Sequence, residues 1–339
     1  YALAVSSCSA ALFLALKTLD LPANAKVLIP AFTFGAVPSA VVHANCIPVL
    51  CECGTDYRID LDDFLIKLQL VDAVLISHMR GHTSDMDKIL SQCEKLGVPV
   101  IEDAAHSLGT TWRGKNIGTF GRLGCFSFQS YKLLNSGEGG MLITDDPDCF
   151  AKAVVMSGAY EHNWKKHHGE RQFFEKWQNQ LPLYNMRLNN LSALIVDSQI
   201  PYLDERIENG RRNHDIAAKK LSHSEWIHVP EKFEHEARAP DSIQFNLVGL
   251  TPLEVSQFCD LINRMGVALQ VFGNSKDNAR AFWNWDFLPE RFNLPKTRGM
   301  LMNACDVRLP ARLNVDDCKS IAEMILEALR QVKSNMAAE

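Results

Sequence analysis

The chain has 339 residues, of which 47% are hydrophobic and 22% are charged, a composition typical of a globular protein large enough for two domains. The formal net charge of −5 at pH 7 disfavours a nucleic-acid-binding protein. No apolar segment reaches the roughly 18 to 20 residues of a membrane-spanning helix, so we predict no membrane partner. The ten cysteines are scattered, which predicts a reduced, cytoplasmic protein without a metal site.

The sequence starts at Tyr1, inside an apolar segment and without an initiator methionine. We therefore expect further residues to precede Tyr1 in the complete protein.

Helix-like and strand-like segments alternate over the first 146 residues. Residues 9–19 are apolar almost all round, as in a buried helix, and residues 85–96 have helical spacing that ends at Gly97. Short apolar runs predict strands at 26–30, 46–50, 72–77, 98–103, 123–128 and 141–144. Because helix-length segments separate most of these runs, we predict parallel strands joined by crossover helices in an α/β domain.

The pattern changes after residue 150. Residues 151–180 are polar and aromatic with no strand pattern, and residues 192–207 predict one long helix that leads into a second domain. The remainder predicts strands at 243–248 and 267–271, turns over 274–298 and a closing helix over 315–332. We predict a large domain over residues 1–205 and a smaller α+β domain over residues 206–339.

Lys132 lies just after the apolar run 123–128 and just before a glycine-rich turn, and Asp103 ends another apolar run. The carboxyl ends of parallel strands form the edge at which open α/β sheets bind ligands. An amine and a carboxylate at that edge suit pyridoxal phosphate, whose aldehyde reacts with the amine and whose ring nitrogen binds the carboxylate. Structural roles stay open: Lys132 could pair with Glu138 or cap a helix, and Asp103 could cap a helix that begins at Ala104.

A phosphate site is predicted at residues 5–9, Val-Ser-Ser-Cys-Ser, directly before the first helix. Backbone amides and hydroxyls at a helix start bind anions, and Ser127 adds another hydroxyl. The same serines are compatible with simple capping or with filling a strand. The sequence has no P-loop, G-x-G-x-x-G, G-x-S-x-G or H-E-x-x-H motif, which disfavours several other enzyme classes.

Six segments occur in an order and spacing that resemble one enzyme family. They are residues 5–11, 30–34, 101–106, 126–132, 136–140 and 184–188. Together they resemble the DegT/DnrJ/EryC1/StrS family of sugar aminotransferases, in the aspartate aminotransferase superfamily. The resemblance covers about residues 4 to 200, with a weaker continuation, and implies the α/β fold type I, with helices on both faces of a mostly parallel sheet.

The resemblance implies roles at the cofactor ring. Lys132 would bind pyridoxal 5'-phosphate covalently, and Asp103 would hold its ring nitrogen. His106 would lie near the ring oxygen, and Phe34 would stack on the ring. Without the other matches, Phe34 would be interpreted as a core residue.

The resemblance also implies a phosphate cradle of Ser9, Ala10 and Ser127. Asn185 would reach the phosphate bound by a neighbouring subunit, which implies a homodimer with shared active sites. Alone, Asn185 would be interpreted as a loop cap.

Departures from the family pattern concern the substrates. Arg80 could bind a carboxylate of the amino donor or the acceptor, with a surface ion pair as the alternative. His78 and Arg187, in segments 78–81 and 184–188, are the other substrate candidates. Trp283 and Trp285 replace part of a usual histidine-containing loop, and we expect them to fill the small domain, with stacking on a sugar or base as the alternative.

The sequence thus predicts a cytoplasmic, homodimeric aminotransferase that uses pyridoxal phosphate. The donor would be glutamate or glutamine, and the acceptor a keto or aldehyde carbon of a sugar, free or nucleotide-linked. A cyclitol or another non-nucleotide keto acceptor is the alternative. Related sugar dehydratases have histidine in place of the lysine, so Lys132 disfavours that reaction, and the retained site residues disfavour a non-catalytic regulatory protein.

Overall fold

The computed structural model describes residues 1–288 and 290–337. Nine strands lie in the first half of the chain: β1 Ala2–Val5, β2 Lys26–Pro30, β3 Ile47–Cys51, β4 Ala73–Ser77, β5 Val100–Asp103, β6 Thr111–Trp112, β7 Lys115–Asn116, β8 Leu123–Ser127 and β9 Gly140–Ile143. Seven helices accompany them: α1 Cys8–Thr18, α2 Ala36–His43, α3 Leu61–Leu68, α4 Met86–Leu96, α5 Pro147–Met156, α6 Arg171–Trp177 and α7 Asn190–Asp197.

The second half begins with a long helix and contains a smaller sheet. Its elements are α8 Leu203–Leu221, β10 Ile227–His228, β11 Glu236–Ala237, β12 Ser242–Leu247, α9 Pro252–Arg264, β13 Leu269–Val271, α10 Pro295–Leu301, β14 Ala304–Arg308 and α11 Val315–Ala337. Among the described residues, no helix combines the length and the apolar character needed to cross a membrane.

The central sheet has seven strands in the order β1-β9-β8-β5-β4-β2-β3. Neighbours from β8 to β3 pair in parallel, which confirms the predicted α/β architecture. β9 is the exception and pairs antiparallel with both β8 and β1. The sheet is therefore mostly parallel, as predicted, and β9 runs antiparallel because a turn rather than a crossover helix connects it to β8.

Two predicted helices form as the sequence indicates. α1 is buried along most of its length, in agreement with its nearly continuous apolar sequence. Asp85 caps the N-terminus of α4, and Gly97 ends the helix with a left-handed backbone conformation, φ 66°.

The single long helix expected over 192–207 was wrong. α7 ends at Asp197, and α8 starts at Leu203 after a short 3₁₀ turn that contains Pro201. Proline lacks a backbone N–H and clashes with the preceding turn of a helix, so a break at this position is favoured.

The smaller sheet has the antiparallel order β10-β12-β14-β13. Its apolar side packs with α8, α9 and α11 in a separate core. The two halves of the chain nevertheless share structure, because β11 pairs with β6 and because Phe272, Trp285 and Leu301 pack into the core of the large sheet. The domain boundary at residue 205 stays a prediction.

Candidate active site

Lys132 lies at the carboxyl edge of the central sheet, in the turn that follows β8. Its backbone N–H donates to the Gln129 carbonyl at 2.9 Å, and the turn is closed by the bond from Phe128 N to Gly139 O at 2.8 Å. Burial lowers the pKa of the Lys132 amine to about 8, while Asp241 acts in the opposite direction. Within residues 1–288 and 290–337, no carboxylate lies within the 4.0 Å of an ion pair with Lys132, so the Glu138 pairing is not observed.

Asp103 ends β5 at the same edge of the sheet and is only 6% exposed. Its Oδ2 accepts a hydrogen bond from the Ser77 hydroxyl at 2.6 Å, and its Oδ1 accepts one from Ala105 N at 3.1 Å. The Cys8 thiol, at the start of α1, lies 3.9 Å from Oδ1. Asp103 therefore stabilises a turn, whereas the capping alternative expected a helix at this point. These hydrogen bonds also fix the orientation of its carboxylate.

A small cavity opens beside the lysine. It is lined by Ala105, His106, Leu108, Ser127, Lys132, Leu133, Ala239 and Asp241. Burial, followed by the charge of Lys132, holds the pKa of His106 well below its usual value, so this imidazole is neutral at pH 7. The cavity thus brings together three residues predicted from the sequence and adds a carboxylate from the second half of the chain, Asp241.

The predicted phosphate cradle lies at the start of α1. Ser7 is the N-cap and accepts a hydrogen bond from Ala10 N at 3.1 Å, whereas Ser9 lies exposed in the first turn. Gly140 of β9 packs against this loop so closely that an added Cβ would lie 2.4 Å from the Ser7 carbonyl carbon. The helix start is therefore held by the sheet and leaves the Ser9 hydroxyl accessible.

Phe34, Asn185 and Arg187 are all exposed side chains. Phe34 follows β2 and is 45% exposed, with the Arg280 guanidinium carbon 5.8 Å from its ring centre. Arg187 donates to the Asn185 amide oxygen at 3.3 Å. The segment that contains Asn185 and Arg187 contacts the loop before α1, since Ser6 N donates a hydrogen bond to Met186 O at 2.8 Å.

Two substrate candidates have partners inside the protein. The His78 ring is buried and lies 3.2 Å from Glu102, whose side chain is also fully buried. Arg80 is buried and pairs with Asp306 of β14, so the ion pair expected as its alternative role exists, but in the interior instead of on the surface. Each side chain is engaged through one nitrogen, whereas His78 Nδ1 and Arg80 Nε have no hydrogen-bond partner among the described residues.

The tryptophans of the second half differ in their environment. Trp285 is buried in the main core and donates through Nε1 to Ala279 O at 2.9 Å. Trp283 is only partly buried, with the Arg298 guanidinium carbon 4.3 Å from its ring centre. Trp285 therefore fills a core, as expected, but it is the core of the large sheet and not that of the small domain.

Sequence reasoning missed the contribution of the second half of the chain to this site. Arg308 of β14 binds the Asp241 carboxylate at 2.9 Å and the Tyr131 carbonyl, adjacent to Lys132, at 2.7 Å. Ser77 was missed as well. Ser77 ends a predicted strand and Asp241 lies just before one, which was the one available signal, whereas no strand was predicted near Arg308.

Comparison with known proteins supports the resemblance seen in the sequence. Residues 1–326 match the DegT/DnrJ/EryC1/StrS aminotransferase family. The chain belongs to this family. Two relatives are the spore coat polysaccharide biosynthesis protein SpsC of Bacillus subtilis (strain 168), 32% identical over 65% of this chain, and the 3-amino-5-hydroxybenzoate synthase of Amycolatopsis mediterranei (strain S699), 32% identical over 84%.

The fold agrees with this assignment. The crystal structure of 3-amino-5-hydroxybenzoic acid synthase superposes with a TM-score of 0.85 over 97% of this chain and 86% of that chain, at 23% identity. The chain therefore has the α/β fold type I of these aminotransferases. It spans 72% of the Amycolatopsis synthase but only 56% of the spore coat protein, so activity, substrates and partners are proposed below.

Proposed function

We propose that this protein is a pyridoxal phosphate-dependent aminotransferase that moves an amino group from glutamate or glutamine to a keto or aldehyde carbon of a sugar. The observation that carries the proposal is Lys132, a half-buried amine with a pKa of about 8 at the carboxyl edge of the sheet. With this pKa, about a tenth of the amine is neutral at pH 7, against roughly one part in 3,000 for an ordinary lysine. The protein therefore has the nucleophile and base that the reaction requires.

The residues around Lys132 fit pyridoxal phosphate. Lys132 would hold the cofactor covalently, Asp103 would hold the ring nitrogen in its protonated form, and Phe34 would cover one face of the ring. The start of α1 with Ser9 and Ala10, together with Ser127, would hold the phosphate. When bound, the cofactor supplies a sink for the electron pair left after a proton leaves the donor.

The side chains of the protein then have distinct tasks. The neutral Lys132 amine takes the proton from the α-carbon of the amino donor and returns it to the product side as a general base and acid. The hydrogen bonds from Ser77 and Ala105 hold the Asp103 carboxylate in place. His106 is neutral and offers a hydrogen bond without adding positive charge beside the lysine.

We also propose a homodimer with shared active sites. α7 and the turn after it carry several exposed apolar side chains close together along the chain: Leu191, Leu194, Ile195, Ile200 and Tyr202. Exposed apolar patches of this kind are typical of interfaces. This surface follows directly after the loop that carries Asn185, which supports contact of Asn185 with the second subunit.

The proposed acceptor is a keto-sugar. The relatives include GDP-perosamine synthase from Vibrio cholerae, 28% identical over 85% of this chain. The 3-amino-5-hydroxybenzoate synthase has a product that is not a sugar by name, so a cyclic keto acceptor without a nucleotide is the second candidate.

A spectroscopic experiment tests the function. The purified protein incubated with pyridoxal phosphate should be yellow, and glutamate or glutamine should remove the visible band. Candidate keto-sugars should then restore the band, which would identify the acceptor. A protein that stays colourless would contradict the cofactor proposal, and a yellow protein that neither donor bleaches would contradict the aminotransferase alone.

Lys132→Ala is expected to lower turnover by about 10²- to 10⁴-fold, because the general base and the covalent attachment of the cofactor are lost. We expect this variant to bind the cofactor without a covalent bond. After reduction with borohydride, the mass of the wild type should therefore increase by that of the bound cofactor, and the mass of the variant should not. Lys88→Ala, at a surface lysine that is 69% exposed, is the control and should leave turnover unchanged. Turnover at the wild-type level in Lys132→Ala would overturn the assignment of Lys132.

A further inference from the structure

Arg280 lies between β13 and α10, in a segment whose backbone is held by side-chain hydrogen bonds. Asn278 is 3% exposed and donates through Nδ2 to the Phe272 carbonyl at 2.7 Å. Its side-chain oxygen in turn accepts a hydrogen bond from Arg280 N at 2.9 Å. Both ends of this short segment are thus held by one buried amide, which fixes the backbone of Arg280.

The guanidinium of Arg280 lies between two aromatic rings. Its central carbon is 5.8 Å from the centre of Phe34 and 5.6 Å from that of Phe272. Phe272 is fully buried, whereas Phe34 is exposed at the site predicted to hold the cofactor ring. The aromatic faces favour a cation here, and they place the charge at the wall of the proposed active site.

Arg280 has few polar partners in the described part of the chain. Its Nε is buried without a hydrogen bond, and the contact of Nη1 with Gln270 Oε1 is long, at 3.5 Å. No carboxylate within residues 1–288 and 290–337 forms an ion pair with it. Burial, followed by the neighbouring charge of Arg80, lowers the pKa of Arg280 to about 10, while Asp306 acts in the opposite direction. The Asp306 carboxylate forms its ion pair with Arg80, so its charge only partly compensates the desolvated Arg280 guanidinium.

Two other arginines near this cleft pair with carboxylates of the protein. Arg80 pairs with Asp306, whose second oxygen accepts a hydrogen bond from Gln244 at 2.7 Å. Arg308 pairs with Asp241 at 2.9 Å. Both small-domain carboxylates are therefore engaged, and Arg280 is the arginine of this group left to bind an external anion.

We infer that Arg280 is a substrate-binding residue that takes an oxyanion of a substrate in the cleft beside Phe34. The inference rests on the proposed function for the location of the substrate. The oxyanion is either a carboxylate of the amino donor or a phosphate of the acceptor, and the planar guanidinium suits both. It replaces Arg80, which is committed to Asp306, as the anion-binding arginine of this site.

Binding measurements test this without relying on turnover. Glutarate, as a carboxylate probe, and inorganic pyrophosphate, as a phosphate probe, would be titrated by calorimetry into the cofactor-loaded protein. Arg280→Met should weaken at least one probe 10-fold or more, because a charge-assisted hydrogen bond is lost. The affected probe identifies the source of the oxyanion. Arg264→Met, at an exposed arginine at the end of α9, is the control and should bind both probes like the wild type.

Arg280→Lys provides a second variant, which keeps the charge but loses the planar fork. We expect it to weaken the same probe by about 3- to 10-fold, less than Arg280→Met. The inference is overturned if the wild type binds neither probe, or if both variants bind both probes as tightly as the wild type. Bleaching by glutamate is scored separately on the wild type, so failure of the proposed function and failure of the Arg280 assignment give different results.

Discussion

At the scale of single residues, the surroundings of Lys132 act in opposite directions on the protonation of its amine. Burial and the Arg80 guanidinium favour the neutral amine, whereas Asp241 and Asp103 favour the ammonium form. Because the pKa is lowered to about 8, the neutral fraction rises as the pH increases through 8 and levels off above about 9. The rate at which the cofactor-free protein captures pyridoxal phosphate covalently should follow this same curve.

Asp241→Asn is expected to move the midpoint of this curve below pH 8. The variant removes the carboxylate that opposes the pKa shift most strongly and also frees Arg308, and both changes favour the neutral amine. Stopped-flow absorbance at several pH values measures the capture rate. Asp286→Asn, at an exposed carboxylate paired with Arg291, is the control and should keep the wild-type midpoint. A midpoint for Asp241→Asn that is unchanged or higher would refute the role of Asp241.

At the scale of elements, the start of α1 depends on its contact with β9. Ser7 caps the helix, and Gly140 lies against the Ser7 and Cys8 backbone. A side chain at residue 140 would meet main-chain atoms, which cannot rotate away as the end of a flexible side chain can. The glycine therefore allows the close approach of the sheet edge to the phosphate-binding turn.

Gly140→Ala is expected to push the helix start away from β9. The new Cβ would lie 2.4 Å and 2.6 Å from the Ser7 carbonyl carbon and Cys8 N, and overpacking of this kind costs about 1 to 3 kcal/mol in the free energy of unfolding. Affinity for pyridoxal phosphate should fall as well. Urea unfolding and a fluorescence titration with the cofactor measure the two effects.

Gly299→Ala is the matched control, because Gly299 lies exposed in α10 and an added Cβ meets no atom within 4 Å. It should leave stability unchanged or raise it by about 0.5 to 1 kcal/mol. Equal stability and cofactor affinity in Gly140→Ala and the wild type would show that the turn does not need this contact.

At the scale of the whole molecule, the apolar surface of α7 is the feature that a single subunit leaves unexplained. The break at Pro201 turns the chain between α7 and α8, and the apolar side chains before and after this break stay exposed. A second copy of the chain that covers them would also bring the Asn185 loop of each subunit towards its partner.

Leu194→Asp is therefore expected to separate the proposed dimer. Leu194 is 64% exposed, and a charge placed in an apolar interface would be desolvated without a partner. Light scattering after size exclusion should show two chains for the wild type and one for the variant. Leu253→Asp, at a leucine of α9 that is 57% exposed, should stay dimeric. A wild-type protein that elutes as a single chain would contradict the homodimer.

Much of the central sheet could be predicted from local sequence patterns. The apolar runs that became β2, β4, β5 and β8 are short and continuous, and a continuous apolar run is what a strand buried on both faces requires. The motifs then placed Lys132 and Asp103 after two strands, at the carboxyl edge of one sheet. The structure confirms that β5 and β8 pair in parallel, so the two residues share one edge of the sheet.

Other features could not be read from local sequence. The direction of β9 depends on its connection to β8, and the burial of His78 depends on its pairing with Glu102. Asp241 lines the cavity beside Lys132, and Arg308 binds the carbonyl of the adjacent Tyr131, only because the chain folds back on the turn after β8. Such contacts join residues that are distant along the chain and leave no periodic signal.

The sequence by itself determined the family, the central α/β layout and the residues at the edge of the sheet, because apolar periodicity and motif spacing are local properties. Only the tertiary structure decided which charges neutralise one another. Arg80 meets Asp306, 226 residues away, and Arg308 meets Asp241, so each of these two arginines already has a carboxylate partner. Arg280 has no ion-pair partner among the described residues, because the nearby Asp306 carboxylate is paired with Arg80.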